Sequence, residues 1–322
     1  MLTPEEIADR ARRAVAAAAA AGRDLGLDVT APRVLYDAFS VVVHLAPAPV
    51  VARVPTVLSR TIAADPKAQA TQQRRELAVA GQLAAQGHPV VPPSPLVPPE
   101  PVRRDGYSIT LWTFVEQIEG SAHEDLSRAH LAARLHAALR AYPGELGWFV
   151  PLDESIPDAL EVLRDRPDLL APADLDRARR AWELIGPLTS SPEAFAATFP
   201  EATVQPIHGD APLYNVIPTP DGEFSAYFEH VTIGPVEWDL TFASPEQLAA
   251  YDEAASGLGL RPHDPRLLDV MAAARMMQLV ACLPMIPELP VLAEGLRPAI
   301  DHWRTQPLAG GLAGQAPART AR

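Results

Sequence analysis

His208-Gly209-Asp210-Ala211-Pro212-Leu213-Tyr214-Asn215 decides how this chain is read. An Asp followed five positions later by an Asn puts a carboxylate and a carboxamide on one short loop. That spacing suits phosphoryl transfer: the carboxylate accepts or orients the proton of an acceptor hydroxyl, and the carboxamide oxygen reaches a magnesium ion on the nucleotide phosphates. Asp210 is therefore the expected catalytic base and Asn215 a candidate metal ligand. Gly209 supplies the backbone freedom the turn needs. The competing reading is a polar turn after a strand.

Working outward, Thr203 to Ile207 has strand character just before the loop. After it, Val216-Ile217 and Phe224 to Phe228 flank Asp221-Gly222, a two-residue hairpin signal. Helical spacing begins at Ser127, with Leu131, Leu135 and Leu139 on one face, and returns across Pro157 to Leu163 and Ala173 to Ile185. Toward the N-terminus, Ser40 to Leu45 and Val50 to Val54 form a hairpin-like pair, and Gln72 to Ala85 is helical. Pro89 to Pro101 carries seven prolines in thirteen positions and reads as an extended loop returning to a strand over Tyr107 to Val115. Thr3, Pro4 and Glu6 announce a leading helix over 3–22 through an N-cap, a proline in the first turn and a capping box. The sum is an α+β, bilobal chain: a small β-rich lobe over 1–115, a larger mainly helical lobe over 116–307, and a tail over 308–322 whose Gly, Ala, Pro and Arg predict disorder.

With 322 residues and 48% apolar composition, the chain can bury a large core. Its one cysteine, Cys282, permits no internal disulfide, and a reducing cytoplasm is the expected setting. No uninterrupted apolar run approaches the roughly eighteen residues of a membrane span. The alanine run from Ala16 to Ala21 follows Glu5, Glu6 and Asp9, so it reads as a surface helix rather than a signal peptide. A net charge of −13 argues against nucleic acid as a partner. The charge is also uneven: residues 1–115 sum to +2 and residues 116–322 to −15. A near-neutral half suits nucleotide phosphates, and an acidic half would draw a cationic acceptor, although acidity also simply keeps proteins soluble.

His-Gly-Asp, four residues, Asn, followed by Gly234-Pro235-Val236-Glu237-Trp238-Asp239-Leu240, resembles the aminoglycoside phosphotransferase and choline kinase-like family from about Val34 to about Phe242. The resemblance implies a protein-kinase-like fold, ATP or GTP with Mg2+ as phosphoryl donor, and a small-molecule hydroxyl as acceptor. It makes Asp239 a buried anchor beneath the loop and His208 a member of the catalytic segment that anchors it through its ring. It also implies a cation on the third strand paired with a helix carboxylate around the α- and β-phosphates; Arg53, where Lys is commoner, and Glu76 hold those positions. Thr110 to Gln117 resembles the hinge that reads the base, with Trp112 as core. The phosphate-covering turn, Tyr36 to Ser40, has no glycine, leaving backbone amides and Ser40 to touch phosphate.

One departure bears on the metal. The family's metal-binding Asp falls twelve residues before Asp239, where this chain has Tyr227. A neutral phenol is a poor ligand for magnesium. Glu229, two residues on and on the same strand face, is the alternative carboxylate. The alternatives are thus a degenerate kinase fold that binds a ligand or partner without turnover, or a kinase acting on a peptide Ser or Thr. His123, His130, His136, His230 and His263 lack zinc-ligand spacing, and no Gly-x-Ser-x-Gly nucleophile motif is present.

Overall fold

The structure, a computed structural model, describes residues 1–118, 125–152 and 155–314. His123 and the end of the tail lie outside the described residues. The chain opens with α1 (Pro4–Asp24), capped as its sequence predicts: Thr3 Oγ1 accepts from the Glu6 amide and the Glu6 carboxylate accepts from the Thr3 amide. A five-stranded antiparallel sheet follows, in the order β1-β2-β3-β5-β4. Its strands are β1 (Arg33–Asp37), β2 (Ser40–His44), β3 (Val50–Pro55), β4 (Val102–Arg104) and β5 (Tyr107–Thr113). Register Val42↔Arg53 and Arg53↔Thr110 places Arg53 on the central strand. The alanine face of α1 packs on one side of this sheet, with Ala14, Ala17, Ala18 and Ala21 against Val41, Val43 and Leu45. Small side chains let helix and sheet approach closely.

Between β3 and β4 come α2 (Arg60–Ala64) and α3 (Pro66–Ala85). Leu77, Val79, Ala80 and Leu83 of α3 are buried in a cluster with Trp112, which is core as expected, and with Leu135, Phe228 and Val231 from beyond the sheet. This cluster joins the two lobes.

The larger lobe contains α4 (Leu126–Arg140), α5 (Ser155–Arg164), α6 (Pro172–Thr189), α7 (Pro192–Thr198), the strands β6 (Val204–Ile207), β7 (Val216–Thr219), β8 (Gly222–Ser225) and β9 (Thr232–Pro235), then α8 (Pro245–Gly257), α9 (Pro265–Ala281) and α10 (Leu292–Thr305). The expected hairpin around Asp221-Gly222 forms, with Val216↔Ser225 and Thr219↔Gly222 in register. Two further strands, β6 and β9, pair antiparallel and flank the loop at 208–215. The main core surrounds α9, whose Leu267, Met271, Ala274 and Met277 are buried against Trp238, Phe149 and Ile185. By length and composition alone, 265–285 is apolar enough to cross a membrane, with a mean hydropathy of 1.4. Here it is the central core helix of this lobe.

Two sequence expectations are corrected. Residues Leu308–Gly314 are ordered turns rather than disordered tail: Ala309 is buried, and Leu308 and Leu312 pack against the main core. Apolar residues four apart suffice to dock the segment on α9 even in glycine-rich company. Tyr36 and Asp37 belong to a strand, β1, which exposes Val34, Leu35 and Tyr36 to solvent and so lacks the alternation that marks a half-buried strand.

Candidate active site

The loop at 208–215 is pinned from below. Asp239, on a turn after β9, accepts the His208 amide at 2.9 Å on Oδ2 and the Gly209 amide at 2.9 Å on Oδ1. His136 of α4 adds a ring contact to Oδ2 at 2.9 Å and meets the Tyr251 hydroxyl at 2.8 Å through its other nitrogen. The Trp238 indole donates to the Gly209 carbonyl at 2.7 Å. The carboxylate, the imidazole and the indole are all buried, so these bonds form where water cannot replace them. Gly209 sits at φ +83°, and a Cβ there would lie 1.9 Å from the His230 carbonyl oxygen. Only glycine fits this crossing of two chain segments.

His208 is fully buried. Its Nδ1 accepts the Asp210 amide at 3.3 Å and its Nε2 lies 2.9 Å from the Ala226 carbonyl, which assigns the Nε2–H tautomer. One ring nitrogen thus holds the Asp210 amide and the other ties the loop to the segment before Tyr227.

The Asp210 side chain is 34% exposed to the cleft. Asn215 Nδ2 donates to the Asp210 carbonyl at 2.5 Å and to its Oδ2 at 3.1 Å. From the other side, Arg275 Nη1 stands 3.7 Å from Asp210 Oδ1. Arg275 was not foreseen from sequence. It is a lone cation in the apolar run of α9, which is itself the signal of a buried charge with a dedicated partner. Its guanidinium lies 3.7 Å over the Trp238 ring and donates to Trp238 O, Thr241 Oγ1 and Gln278 Oε1. Burial lowers its pKa to about 10, against the pull of Asp210 and Asp239, so it remains charged at neutral pH.

Across the cleft, Arg53 Nη1 meets Glu76 Oε1 at 2.7 Å, the strand-to-helix pair expected from sequence. Its Nη2 is ion-paired with Glu229, and its guanidinium faces the Tyr227 ring at 5.7 Å. Glu229, expected to be free for a metal, is not free. The backbone explains why: Gln72 and Arg75 of α3 both donate to the Glu229 carbonyl at 3.2 Å, drawing the 228–230 turn up against the helix that carries Glu76. Burial alone would lower the Arg53 pKa, but Glu229 and Glu76 outweigh it and raise it. Glu76, buried with one oxygen unpartnered, is pushed up to about 8, first by burial and then by Glu229, with Arg53 opposing. One guanidinium thus serves two carboxylates.

Tyr227 is held in the left-handed region, φ 66° and ψ 57°, an uncommon conformation for a bulky residue. Burial is the largest cause of its raised pKa, which keeps the phenol neutral. Tyr227 is neutral and Glu229 is paired with Arg53, so neither offers a free anionic ligand to a divalent cation, whereas Asn215 engages Asp210 through its Nδ2 and keeps its Oδ1 as a donor; no cluster of three His, Cys, Asp or Glu exists among the described residues.

Two cavities meet at these residues. One, of about 960 Å3, runs under β1 and β2 to the segment Thr113 to Gln117 and to Asn215 and Tyr227. The other, of about 780 Å3, extends away between α3, α5 and the segment joining α9 to α10. Ser40, Arg53, Glu76, Asp210 and Glu229 border both. Ser40 is mostly buried at the start of β2.

A small antiparallel sheet with one buried strand–helix ion pair, set over a helical lobe with a pinned Asp–Asn loop, defines a kinase-like phosphotransferase fold. The chain belongs to the Phosphotransferase enzyme family, whose sequence profile matches residues 42–267. Among solved structures it is similar to a choline/ethanolamine kinase family protein from Mesorhizobium loti (17% identity, TM-score 0.59, covering 94% of this chain and 98% of that one). It is also similar to the choline kinase LicA from Streptococcus pneumoniae (13%, 0.55, 83% and 90%) and to the GDP and kanamycin complex of APH(2")-IIia (14%, 0.56, 89% and 96%). At these identities the likeness is one of fold. No protein of curated function matches the sequence.

Proposed function

We propose that the protein transfers the γ-phosphoryl group of ATP or GTP to a hydroxyl of a small molecule, with the lobe over 1–115 holding nucleotide and the lobe over 116–307 holding acceptor. The observation that carries this reading is the position of Asp210 at the junction of the two cavities, opposite the Arg53–Glu76 pair. In the step, the acceptor oxygen bonds to the γ-phosphorus as the bond from that phosphorus to the bridging oxygen breaks. The nucleoside diphosphate keeps the electron pair, and the hydroxyl proton passes to Asp210 and then to water. Asn215 and Arg275 hold the Asp210 carboxylate, and Arg53 exchanges Glu229 for phosphate oxygens. Charge stabilisation and positioning supply most of the barrier reduction in such reactions. Magnesium would arrive bound to the nucleotide phosphates, with Asn215 Oδ1 as a protein donor to it, and would neutralise phosphate charge.

The test is a thermal shift with ATP and GTP, with and without magnesium, followed by diphosphate release with acceptors. Nucleotide should raise the melting temperature of both wild type and Asp210→Asn, while Asp210→Asn loses about a hundredfold or more of turnover, the usual scale of general-base loss. No shift with either nucleotide sinks the reading. A second reading, a binding protein without turnover, is favoured by Tyr227 and by the engagement of Glu229 with Arg53. It predicts a nucleotide shift with no diphosphate release.

A further inference from the structure

The cavity of about 780 Å3 beside Asp210 has a wall unlike that of a site for polyamines. Val57, Leu279, Cys282, Met285, Leu292 and Leu296 line it, from the small lobe, the end of α9 and the start of α10. Its carboxylates are largely spent: Glu76 and Glu229 are paired with Arg53, and Asp210 faces Arg275. Asp158 and Glu288 remain, and Arg60 and Arg75 bring two positive charges to the same lining. No Trp or Tyr ring borders it among the described residues, so no aromatic cage for a quaternary amine is built there. A multiply charged amine entering this space would lose hydration without a compensating set of anions, whereas hydrocarbon surface would gain by leaving water.

The wall is also held shut between the lobes. Ala38 and Val57 of the small lobe pack with Leu289, against which Met285 and Leu292 also lie. Arg10 of α1 bonds both the Asp37 carboxylate and the Glu288 carbonyl. The segment from 282 to 296 is therefore a built side of the acceptor cavity.

We propose that the acceptor is an uncharged alcohol with a substantial hydrocarbon body, seated against the 282–296 wall with its hydroxyl at Asp210. This rests on the phosphotransferase reading for the role of Asp210; the occupancy of the cavity can be tested apart from turnover. Cys282 is the chain's single cysteine and borders the cavity, so it reports occupancy directly.

Alkylation of Cys282 by N-ethylmaleimide, followed by intact-protein mass spectrometry, would be measured with cyclohexanol, borneol and 1-decanol, and in parallel with choline and kanamycin. At least one uncharged alcohol should slow alkylation tenfold or more, choline and kanamycin should not, and Met285→Glu and Leu292→Glu should each remove the protection in protein that still melts cooperatively, at a lower temperature than the wild type. The same alcohol should raise ADP release from Mg-ATP in the wild type. Two variants are used so that one that fails to fold does not decide the matter. Protection by choline or kanamycin alone, or by none of the five compounds, overturns the proposal. Protection without nucleotide binding or ADP release would instead locate the failure in the phosphotransferase reading, with the apolar site intact.

Discussion

Arg53 is the residue shared by two carboxyl groups at the candidate site. It stands between Glu76, which holds its proton up to about pH 8, and the Glu229 carboxylate, so an incoming triphosphate must compete with an internal anion. Glu229→Gln removes that competitor. Nucleotide measured without magnesium should then bind more tightly, by roughly tenfold for each ~1.4 kcal/mol of competition relieved. A metal-ligand role for Glu229 predicts the opposite: a loss that appears only when magnesium is present. Calorimetric titration of both proteins in the two conditions separates the cases. Gly209 makes a second prediction at this scale. Because a Cβ would strike the His230 carbonyl, Gly209→Ala should cost about 3 kcal/mol or more in urea unfolding, with the clash added to the strain of a positive φ.

At the scale of elements, three pieces converge on the loop at 208–215 from different parts of the chain. The turn after β9 brings Asp239, α4 brings His136 and α9 brings Arg275. Asp239→Ala would leave two buried loop amides without an acceptor, a loss on the order of 3–5 kcal/mol, and should abolish turnover in whatever protein still folds. Arg275→Met should behave differently. Methionine fills much of the space over Trp238, so loss of the Asp210 contact should lower kcat and shift its pH dependence more than it lowers the melting temperature. A variant that only loses stability, with an unchanged pH profile in the folded fraction, would make Arg275 a packing residue.

For the whole molecule, the paired lobes make stability depend on pH. Glu76 has a folded pKa near 8 against an ordinary 4.5, so the folded state keeps a proton the unfolded chain has already released. The stability tied to that proton is fully present below about 4.5 and is lost as pH rises toward 8. The melting temperature of the wild type should therefore fall between pH 5 and pH 8, and Glu229→Gln, with one repelling carboxylate gone, should show the smaller fall. An equal fall in both proteins would mean that Glu229 does not govern the proton on Glu76.

The loop and its framing were legible in the sequence because they are local. A capping box, a hairpin signal and an Asp–Asn spacing each act within a few residues, whereas the strand-to-helix pair Arg53–Glu76 was implied by the family resemblance and not by any local pattern. What the sequence could not place were partners brought from a distance. Glu229 pairs with Arg53 across 176 positions because Gln72 and Arg75 pull its backbone to α3, and no periodicity announces that. Arg275 reaches Asp210 only through the packing of α9 against Trp238, and the 282–296 segment becomes a cavity wall only once the lobes close on it. Local chemistry determined the fold class and the residues of the loop. Long-range packing, which fixes where each buried charge finds its counter-ion, decided which carboxylates are free to act.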